Sequence, residues 1–431
     1  MKKSAKTQTL LLTAVNAVVR FLGMLMRILF SRWMGPEIMG ITELSQSVHM
    51  LAITPLTSGL PLAVSRMTAK SARADREKPL MAGVFLVRVA SAALIPALLL
   101  FSPILSRIIG DMRVMPSLWF TAPCILILGY SAVYNGFCYG TEQSWLPAWS
   151  ELIEQFSKLV IAMGILLCFQ HLTAPWMAAV PVFATMASEI LGLIFVIGML
   201  KIPVRMDFPL KTWTQPIMQL ALPTTLTRLV TTLLRALESI VLPMRLQVSG
   251  LSQSEALSRL GMLNGMVMPL MMLPCVFTSA LTMVLVPRLA KAENNRREAL
   301  RLMGLCFLAC AAAGFGSYTL LVVLAPLFAN FFYRLPELAD WIRYAAPLAV
   351  LFSFSHVTGG MLASLGQQKR SMLGAVPISC LTLLLTWLLS ANPALRQKGV
   401  IIAEGAGQIA LLLWNMLMLL LWRRDRQRQI L

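Results

Sequence analysis

Four arginines lie in apolar parts of this sequence, where charged residues are rare. Arg20 and Arg27 are seven residues apart in one apolar segment, and Arg228 and Arg235 are seven apart in another. A spacing of seven places both guanidinium groups of a pair on one face of a helix, about two turns apart. The planar guanidinium group binds phosphate through two parallel hydrogen bonds. The pattern therefore indicates a site for an anion and favours a phosphate or pyrophosphate group.

The arginine spacing belongs to an internal repeat. Residues of the first polar stripe have counterparts 208 positions later: Asn16, Arg20, Gly23 and Arg27 match Thr224, Arg228, Thr231 and Arg235. Further matches follow at an offset of 221, among them Gly40 with Gly261. A loop longer by 13 residues in the second half (221 minus 208) reconciles the two offsets. We predict a duplicated unit of six helices.

The elements that must position these arginines are membrane spans. Of the 431 residues, 58% are hydrophobic and 13% are charged, and the mean hydropathy is +0.74. A water-soluble domain averages about 45–50% apolar and about 25% charged residues, so a large soluble enzyme is excluded. A spanning helix needs about 20 mostly apolar residues. Twelve segments meet this requirement, near 10–34, 39–66, 80–104, 115–140, 147–170, 175–200, 215–243, 257–288, 300–330, 340–366, 371–391 and 399–422.

The formal net charge of +19 indicates orientation in a membrane and not a nucleic-acid partner. Most of the 37 Lys and Arg residues fall in the two termini and in the loops that follow even-numbered spans. Because Lys and Arg accumulate in cytoplasmic loops, both termini are predicted to be cytoplasmic. The predicted fold is an all-α polytopic membrane protein with two six-helix lobes, 1–205 and 206–431. Since six is even, an axis along the membrane normal relates the lobes.

An arginine at the centre of a spanning helix costs about 2.5–3.5 kcal/mol unless it lines water, pairs with an acid or reaches an interface. We expect the four arginines, together with Asn16 and Glu43, to line a water-filled, substrate-binding cavity. In the alternative interpretation, the arginines pair with acids such as Glu43 or Glu238 and only hold helices together.

Other charged residues within the spans are candidates for an ion pair or for coupling transport to H+, Na+ or the membrane potential: Glu151, Glu154, Lys158, Glu189 and Glu404. Glu154 and Lys158 have the i,i+4 spacing that favours an ion pair. The seven cysteines form no Cys-x-x-Cys pair, so neither a metal site nor another cofactor is predicted.

Three segments of the first lobe resemble the multidrug/oligosaccharidyl-lipid/polysaccharide (MOP) exporter superfamily, in the branch of stage V sporulation protein B and the lipid II flippases. The first is Val19-Arg20-Phe21-Leu22-Gly23 through Gly35, and the second is Ser58-Gly59-Leu60-Pro61 through Arg66. The third is Asn135-Gly136 through Gln155. In the second lobe, the resemblance extends to Ala221-Leu222-Pro223-Thr224 and Val286-Pro287-Arg288-Leu289-Ala290. Within 44–60 and 262–274 there is no arginine, although the lipid II flippase carries cavity arginines on its second and eighth helices. That flippase also has fourteen helices, two more than are counted here.

The resemblance implies a bacterial plasma-membrane flippase for a lipid-linked, undecaprenyl-pyrophosphate glycan, working by alternating access without an ATP site. It also implies a role in peptidoglycan or polysaccharide biosynthesis or in sporulation, and makes Arg20 and Arg27 the best functional candidates. Its partners would be the lipid-linked glycan and membrane lipids. A drug or organic-cation antiporter of the same fold is the alternative, although it should present acids to its cavity. A membrane glycosyl- or acyltransferase would need a constellation of carboxylates or histidines that the sequence lacks.

Overall fold

The computed structural model describes residues 5–169, 171–202, 209–279, 288 and 296–430, with side chains except at 5–14, 16, 296, 368–369 and 423–430. Every regular element in these ranges is helical. The α-helices are α1 (Ala5–Thr57), α2 (Gly59–Lys70), α3 (Lys78–Ile109), α4 (Met115–Gly140), α5 (Trp145–Cys168), α6 (Ala174–Leu200), α7 (Leu210–Val248), α8 (Gln253–Leu260), α9 (Met268–Met271), α10 (Arg296–Leu327), α11 (Leu338–Ala345), α12 (Pro347–Ser364), α13 (Gln368–Leu389) and α14 (Gln397–Ile430). Residues 273–279 are also helical. The predicted all-α polytopic fold is confirmed.

Within the described residues, nine helical stretches are long and apolar enough to cross a membrane. One of them, Ala17–Lys70, contains the second predicted span, 39–66, and most of the first, 10–34. Helices α5 and α7 are outside the nine because charged or hydroxyl side chains interrupt their apolar sequences. The least apolar of the predicted spans are therefore two that carry candidate functional residues.

Two breaks divide the stretch from α1 to α2. At Gly35 the backbone has φ 74 and ψ 170, which a side chain would disfavour, so the first predicted span ends there. Near Ser58 the helix is interrupted again. The Thr54 and Ser58 hydroxyls donate to the carbonyls four residues earlier, at 2.6 and 2.8 Å, and such bonds bend helices. Pro61 adds a residue without an N–H group.

The described chain forms two compact units. The first comprises Met1–Met26 and Ile41–Ile240. Its core lies among α2, α3 and α4, with fully buried Val64, Leu80 and Val133. Gly136 lets α4 approach the backbone of α2 at Pro61, a close contact typical of small residues between membrane helices.

The second unit comprises Arg27–Gly40 and Val241–Leu431. Its core includes Cys310, Val357 and Leu362, from α10 and α12, with α14 packed beside them. Helix α8 begins at a capping box in which Ser252 and Glu255 bond each other's backbone N–H groups. It continues into a π-helical turn, Gly261–Val267. The predicted lobes, 1–205 and 206–431, stay a prediction.

Candidate functional site

The first arginine stripe lies on α1, before the break at Gly35. Arg20 is exposed and is close enough to Glu151 of α5 for their charges to interact. The side chain of Asn16 lies outside the described residues. Arg20 belongs to the first unit, so this part of the stripe is available on its surface and has an acidic neighbour.

Arg27 is half-buried and belongs to the second unit. Its Nη1 donates to the backbone carbonyl of Asn264 at 3.4 Å. Asn264 lies in the π-helical turn after α8, and π-turns often occur at functional sites. The charge of Arg27 also acts on Tyr333, whose hydroxyl reaches the carbonyl of Met266 at 3.5 Å. These contacts fix the end of the first span against the π-turn.

The second arginine stripe lies on α7 in the first unit. Arg228 and Arg235 are exposed, and neither forms an ion pair with any residue that the structure describes. Another face of α7 packs on α1 and α2, where the hydroxyl oxygens of Thr54 and Thr232 are 3.4 Å apart and Thr225 accepts from the N–H of Gly59 at 3.2 Å. The hydroxyl contacts therefore hold α7 in place while the arginines face outward.

A reciprocal contact agrees with the predicted duplication. The Cα of Gly40 packs against the carbonyl of Leu257, and the Cα of Gly261 packs against the carbonyl of Pro36. Leu257 follows Pro36 by 221 residues, and Gly261 follows Gly40 by the same number. If a two-fold axis relates the repeats, a contact occurs twice: Gly40 lies on Leu257, the counterpart of Pro36, and Gly261, the counterpart of Gly40, lies on Pro36. Glu37 supports this crossing by accepting a hydrogen bond from Ser254 at 2.7 Å.

Glu43 is half-buried on α1 in the first unit. Its backbone carbonyl accepts the Ser47 hydroxyl at 2.9 Å, which leaves Ser47 bonded to its own helix. Its expected contribution to a substrate cavity stays a prediction.

Charged residues of α5 and α6 form a cluster inside the first unit, which we call the acid–lysine cluster and define as Glu154, Lys158 and Glu189. Glu154 accepts from Ser150 at 2.6 Å and lies over Gly192 of α6. Glu189 accepts from Ser131 and interacts with the charges of Glu154 and Lys158. Its Oε2 atom is buried and has no hydrogen-bond partner among the described residues.

His49 connects this cluster to α4. Its Nδ1 and the Thr121 hydroxyl are 3.1 Å apart, and the charge of Lys158 acts on the imidazole. His49 is 2% exposed and Thr121 is fully buried. The electrostatic partners of Lys158 therefore include residues of α1 and α6.

Glu404 lies on α14 in the second unit, where its Oε1 accepts from Gln408 at 3.1 Å. Nearby helices hold a neutral network centred on Asn415, which is 1% exposed. The Asn415 amide donates to Thr358 at 3.3 Å and accepts from Ser371 at 3.1 Å. Glu404 thus belongs to the second unit, and the acid–lysine cluster belongs to the first.

Sequence reasoning missed the residues that complete these networks. Ser131 and Ser150 gave no signal, because single serines are common in membrane helices. Gly192 could have been found, since it follows Glu189 by three residues and so shares its helix face. Asn415 was detectable as a lone amide in an otherwise apolar run.

Comparison with known proteins identifies the family. The family model for polysaccharide biosynthesis proteins matches residues 5–293, more than half of the chain. Stage V sporulation protein B of Bacillus subtilis (strain 168) is 26% identical over 425 residues, which covers 93% of this chain and 80% of that protein.

Solved structures identify the fold. An inward-facing multidrug resistance MATE family transporter of the MOP superfamily superposes with a TM-score of 0.76 at 16% identity, covering 95% of this chain and 99% of that one. The lipid II flippase MurJ in an inward closed conformation gives 0.73 at 14% identity, covering 94% and 87%. The predicted resemblance is confirmed. This multi-pass membrane protein belongs to the polysaccharide biosynthesis protein family and has the fold of the MOP superfamily.

Proposed function

We propose that the chain flips a lipid-linked glycan with a pyrophosphate group across the bacterial cytoplasmic membrane by alternating access, and that a lipid II-like substrate is favoured. One observation carries the proposal. Arg228 and Arg235 are exposed on α7 without an ion pair among the described residues, and they repeat the spacing of Arg20 and Arg27. Uncompensated arginines within a span are expensive in lipid, so a water-filled, anion-binding cavity is the environment that suits them.

The arginines would act on the pyrophosphate, because the sugar and the prenyl tail carry no charge that two guanidinium groups could bind. Pairs two helical turns apart would let the anion pass from one arginine to the next. Asn16 and Glu43 would contact hydroxyl groups of the glycan. This mechanism needs no covalent step.

Both termini are proposed to face the cytoplasm, since Lys and Arg accumulate in loops on that side. Cysteine substitutions in the loops, probed with a membrane-impermeant reagent in intact cells, would test this orientation. Labelling of Lys70→Cys in intact cells would contradict it.

The test is flipping of a fluorescent undecaprenyl-pyrophosphate glycan in proteoliposomes that contain the purified chain. Arg228→Ala/Arg235→Ala and Arg20→Ala/Arg27→Ala should each lower the flipping rate about tenfold or more, since a charge-assisted hydrogen bond contributes about 1.5–3 kcal/mol. Arg32→Ala is the matched control, because Arg32 is an exposed arginine on the same helix as Arg20 but outside the stripe. Unchanged flipping in both double variants, with normal folding, would refute the assignment.

A drug or organic-cation antiporter is the second candidate, because the MATE transporter shares the fold. An organic cation would be repelled by arginines and would need acidic cavity residues. Transport of an organic cation by the reconstituted chain, unaffected by the arginine substitutions, would favour this candidate. Transferase activity of the purified chain on a prenyl-pyrophosphate sugar would favour an enzyme instead.

We further propose that the acid–lysine cluster couples flipping to protons. The charges of Glu154 and Lys158 both act on or with Glu189 inside the first unit, so a single proton bound to the two carboxylates would balance the charge of the three groups. A Na+ ion would compete with Lys158 for the same carboxylates. Glu189→Gln should make flipping insensitive to an imposed pH gradient while leaving its dependence on Na+ and on membrane potential as in the parent chain. If Glu189→Gln still responds to the pH gradient but Glu151→Gln or Glu404→Gln does not, the coupling site is at Glu151 or Glu404 and not at Glu189.

A further inference from the structure

A cavity of about 340 Å³ lies at one end of the first unit, separate from the arginine stripes. Its walls come from the loop between α2 and α3, from the turn after α4 and from the end of α6. The loop belongs to the side predicted to be cytoplasmic. The volume is within the range of about 300–1,000 Å³ that is typical of ligand sites.

Two arginines of the loop line this cavity. Arg73 lies in the 3-10 turn Arg73–Asp75, and Arg76 follows directly. Asp75 does not neutralise them, because its carboxylate is bonded to Lys78 at 2.6 Å. In the described part of the chain, neither arginine forms an ion pair. Two guanidinium groups therefore face the cavity with a single acidic lining residue, Glu77.

The Nε atom of Arg76 indicates more specifically that a hydrogen-bond acceptor binds in this cavity. This atom is buried and donates to no acceptor among the described residues. A buried donor without an acceptor is destabilising, so an acceptor bound at this atom would recover the lost free energy. The geometry of a guanidinium group matches two oxygens of one phosphate.

The opposite wall combines polar and apolar groups. The turn after α4 has Glu142 in the left-handed region, φ 61, and this bend brings Thr141 and Gln143 to the cavity. Beside them, Met199 and Ile202 provide an apolar surface at the end of α6. A ligand that suits this lining has a phosphate group attached to an apolar part.

We propose that this cavity binds a phosphate group through Arg73 and Arg76, as a regulatory or anchoring site distinct from the transport site. Its position on the predicted cytoplasmic side, with an apolar wall, favours the headgroup of an anionic phospholipid. A free phosphate has the same chemistry at the arginines and differs only in lacking a hydrocarbon part for the apolar wall.

The experiment is native mass spectrometry of the full chain in detergent, titrated with phosphatidylglycerol and, separately, with phosphate-free diacylglycerol. Arg73→Ala/Arg76→Ala should weaken phosphatidylglycerol binding about tenfold or more. Glu77→Gln should strengthen it severalfold by removing the opposing charge. Lys70→Ala/Lys211→Ala is the matched control, since it removes two exposed positive charges that do not line the cavity.

A second arm adds excess inorganic phosphate. Lipid binding that resists phosphate assigns the site to a headgroup, whereas competition that depends on Arg73 and Arg76 assigns it to free phosphate; both support the shared chemistry.

The Arg73→Lys/Arg76→Lys variant keeps both charges and should bind phosphatidylglycerol with intermediate affinity. This variant tests the proposal even if the alanine variant fails to fold. Equal affinity in the parent, alanine and control variants would overturn the proposal, as would diacylglycerol binding as tightly as phosphatidylglycerol. Flipping of the glycan is a separate readout, so loss of this site and failure of the proposed transport are distinguishable.

Discussion

The two halves of the chain each contain a hydrogen bond between a histidine and a threonine, in opposite arrangements. In the first half, His49 lies in the second span and Thr121 in the fourth, 3.1 Å apart. In the second half, Thr278 lies in the second span and His356 in the fourth, 3.0 Å apart. The imidazole and the hydroxyl have exchanged helices. A polar link between the second and fourth spans is thus common to both halves, although the residues that form it differ.

The surroundings of the two links differ in charge. Beside His49 lies the acid–lysine cluster, in which one carboxylate oxygen of Glu189 is buried without a hydrogen-bond partner among the described residues. In the unit of His356, Asn415 forms a neutral network, and Glu404 bonds Gln408 on its own helix. Within the described residues, the two links thus share their helix contacts, whereas the cluster of two acids and a lysine lies beside the first link.

The largest effect is expected from Lys158→Met. Removing the cation takes away the positive charge that acts on Glu189, beside the like-charged Glu154, and should lower the free energy of unfolding by about 3 kcal/mol, the lower limit for breaking a buried ion pair, because both acids are only half-buried. Denaturant titration of the chain in detergent micelles measures this change. The matched substitution in the second half, Glu404→Gln, removes one charge next to a neutral amide and should cost about 0.5–1.5 kcal/mol.

A double variant sharpens this test. Lys158→Met/Glu189→Gln should recover much of the lost stability, because replacing both partners of a buried pair is often nearly neutral. A double variant as unstable as the sum of the two single variants would mean that Lys158 and Glu189 do not interact.

Gly192→Ala tests how tightly the cluster is packed. The new methyl group would overlap the carboxylate of Glu154, and displacing that side chain should cost about 2 kcal/mol of stability. Gly198→Ala on the same helix has nothing within 4 Å and should be neutral or stabilising. Equal effects of the two substitutions would show that Glu154 does not rest on α6.

Asn415→Leu tests the neutral network of the second half. The leucine leaves the Thr358 and Ser371 hydroxyls without their partner, and the expected loss is about 1.5 kcal/mol in the same titration. Unlike Glu189→Gln, this substitution should leave the response of flipping to a pH gradient intact. A changed response would mean that both halves contribute to coupling.

The smallest effect is expected from substitution of the two threonines. Thr121→Val should lower stability by about 1 kcal/mol, because it leaves the nearly fully buried His49 without its hydroxyl partner. Thr278→Val should lower stability by less, since His356 is only half-buried and can form hydrogen bonds with other groups more easily. A larger loss in Thr278→Val would reverse the comparison between the two links.

Helix positions could be predicted because apolar runs have no alternative in a membrane except to form helices. The break at Gly35 and the end of the first predicted span differ by a single residue. The partners of polar residues were harder to predict from the sequence. The i,i+4 rule pointed from Lys158 to Glu154, whereas the structure also brings Glu189 and His49 under the influence of Lys158. Spacing describes one helix, and these partners lie on others.

Arg73 and Arg76, on the predicted cytoplasmic side, are a second case in which the sequence does not reveal the neighbours of a charged residue. As sequence they belong with the cations that indicate orientation, and only the fold brings them to a cavity with the ends of α4 and α6.

By itself, the sequence determined the all-α membrane fold and the pairing of arginines at a spacing of seven, and it predicts the duplication. Each of these follows from composition or periodicity along one chain. Only the tertiary structure decided which groups lie together: Arg27 with the carbonyl of Asn264, Glu189 with the charge of Lys158, and Gly40 with the carbonyl of Leu257. The physical reason is that these contacts join helices far apart in sequence, and side-chain packing between helices sets their register.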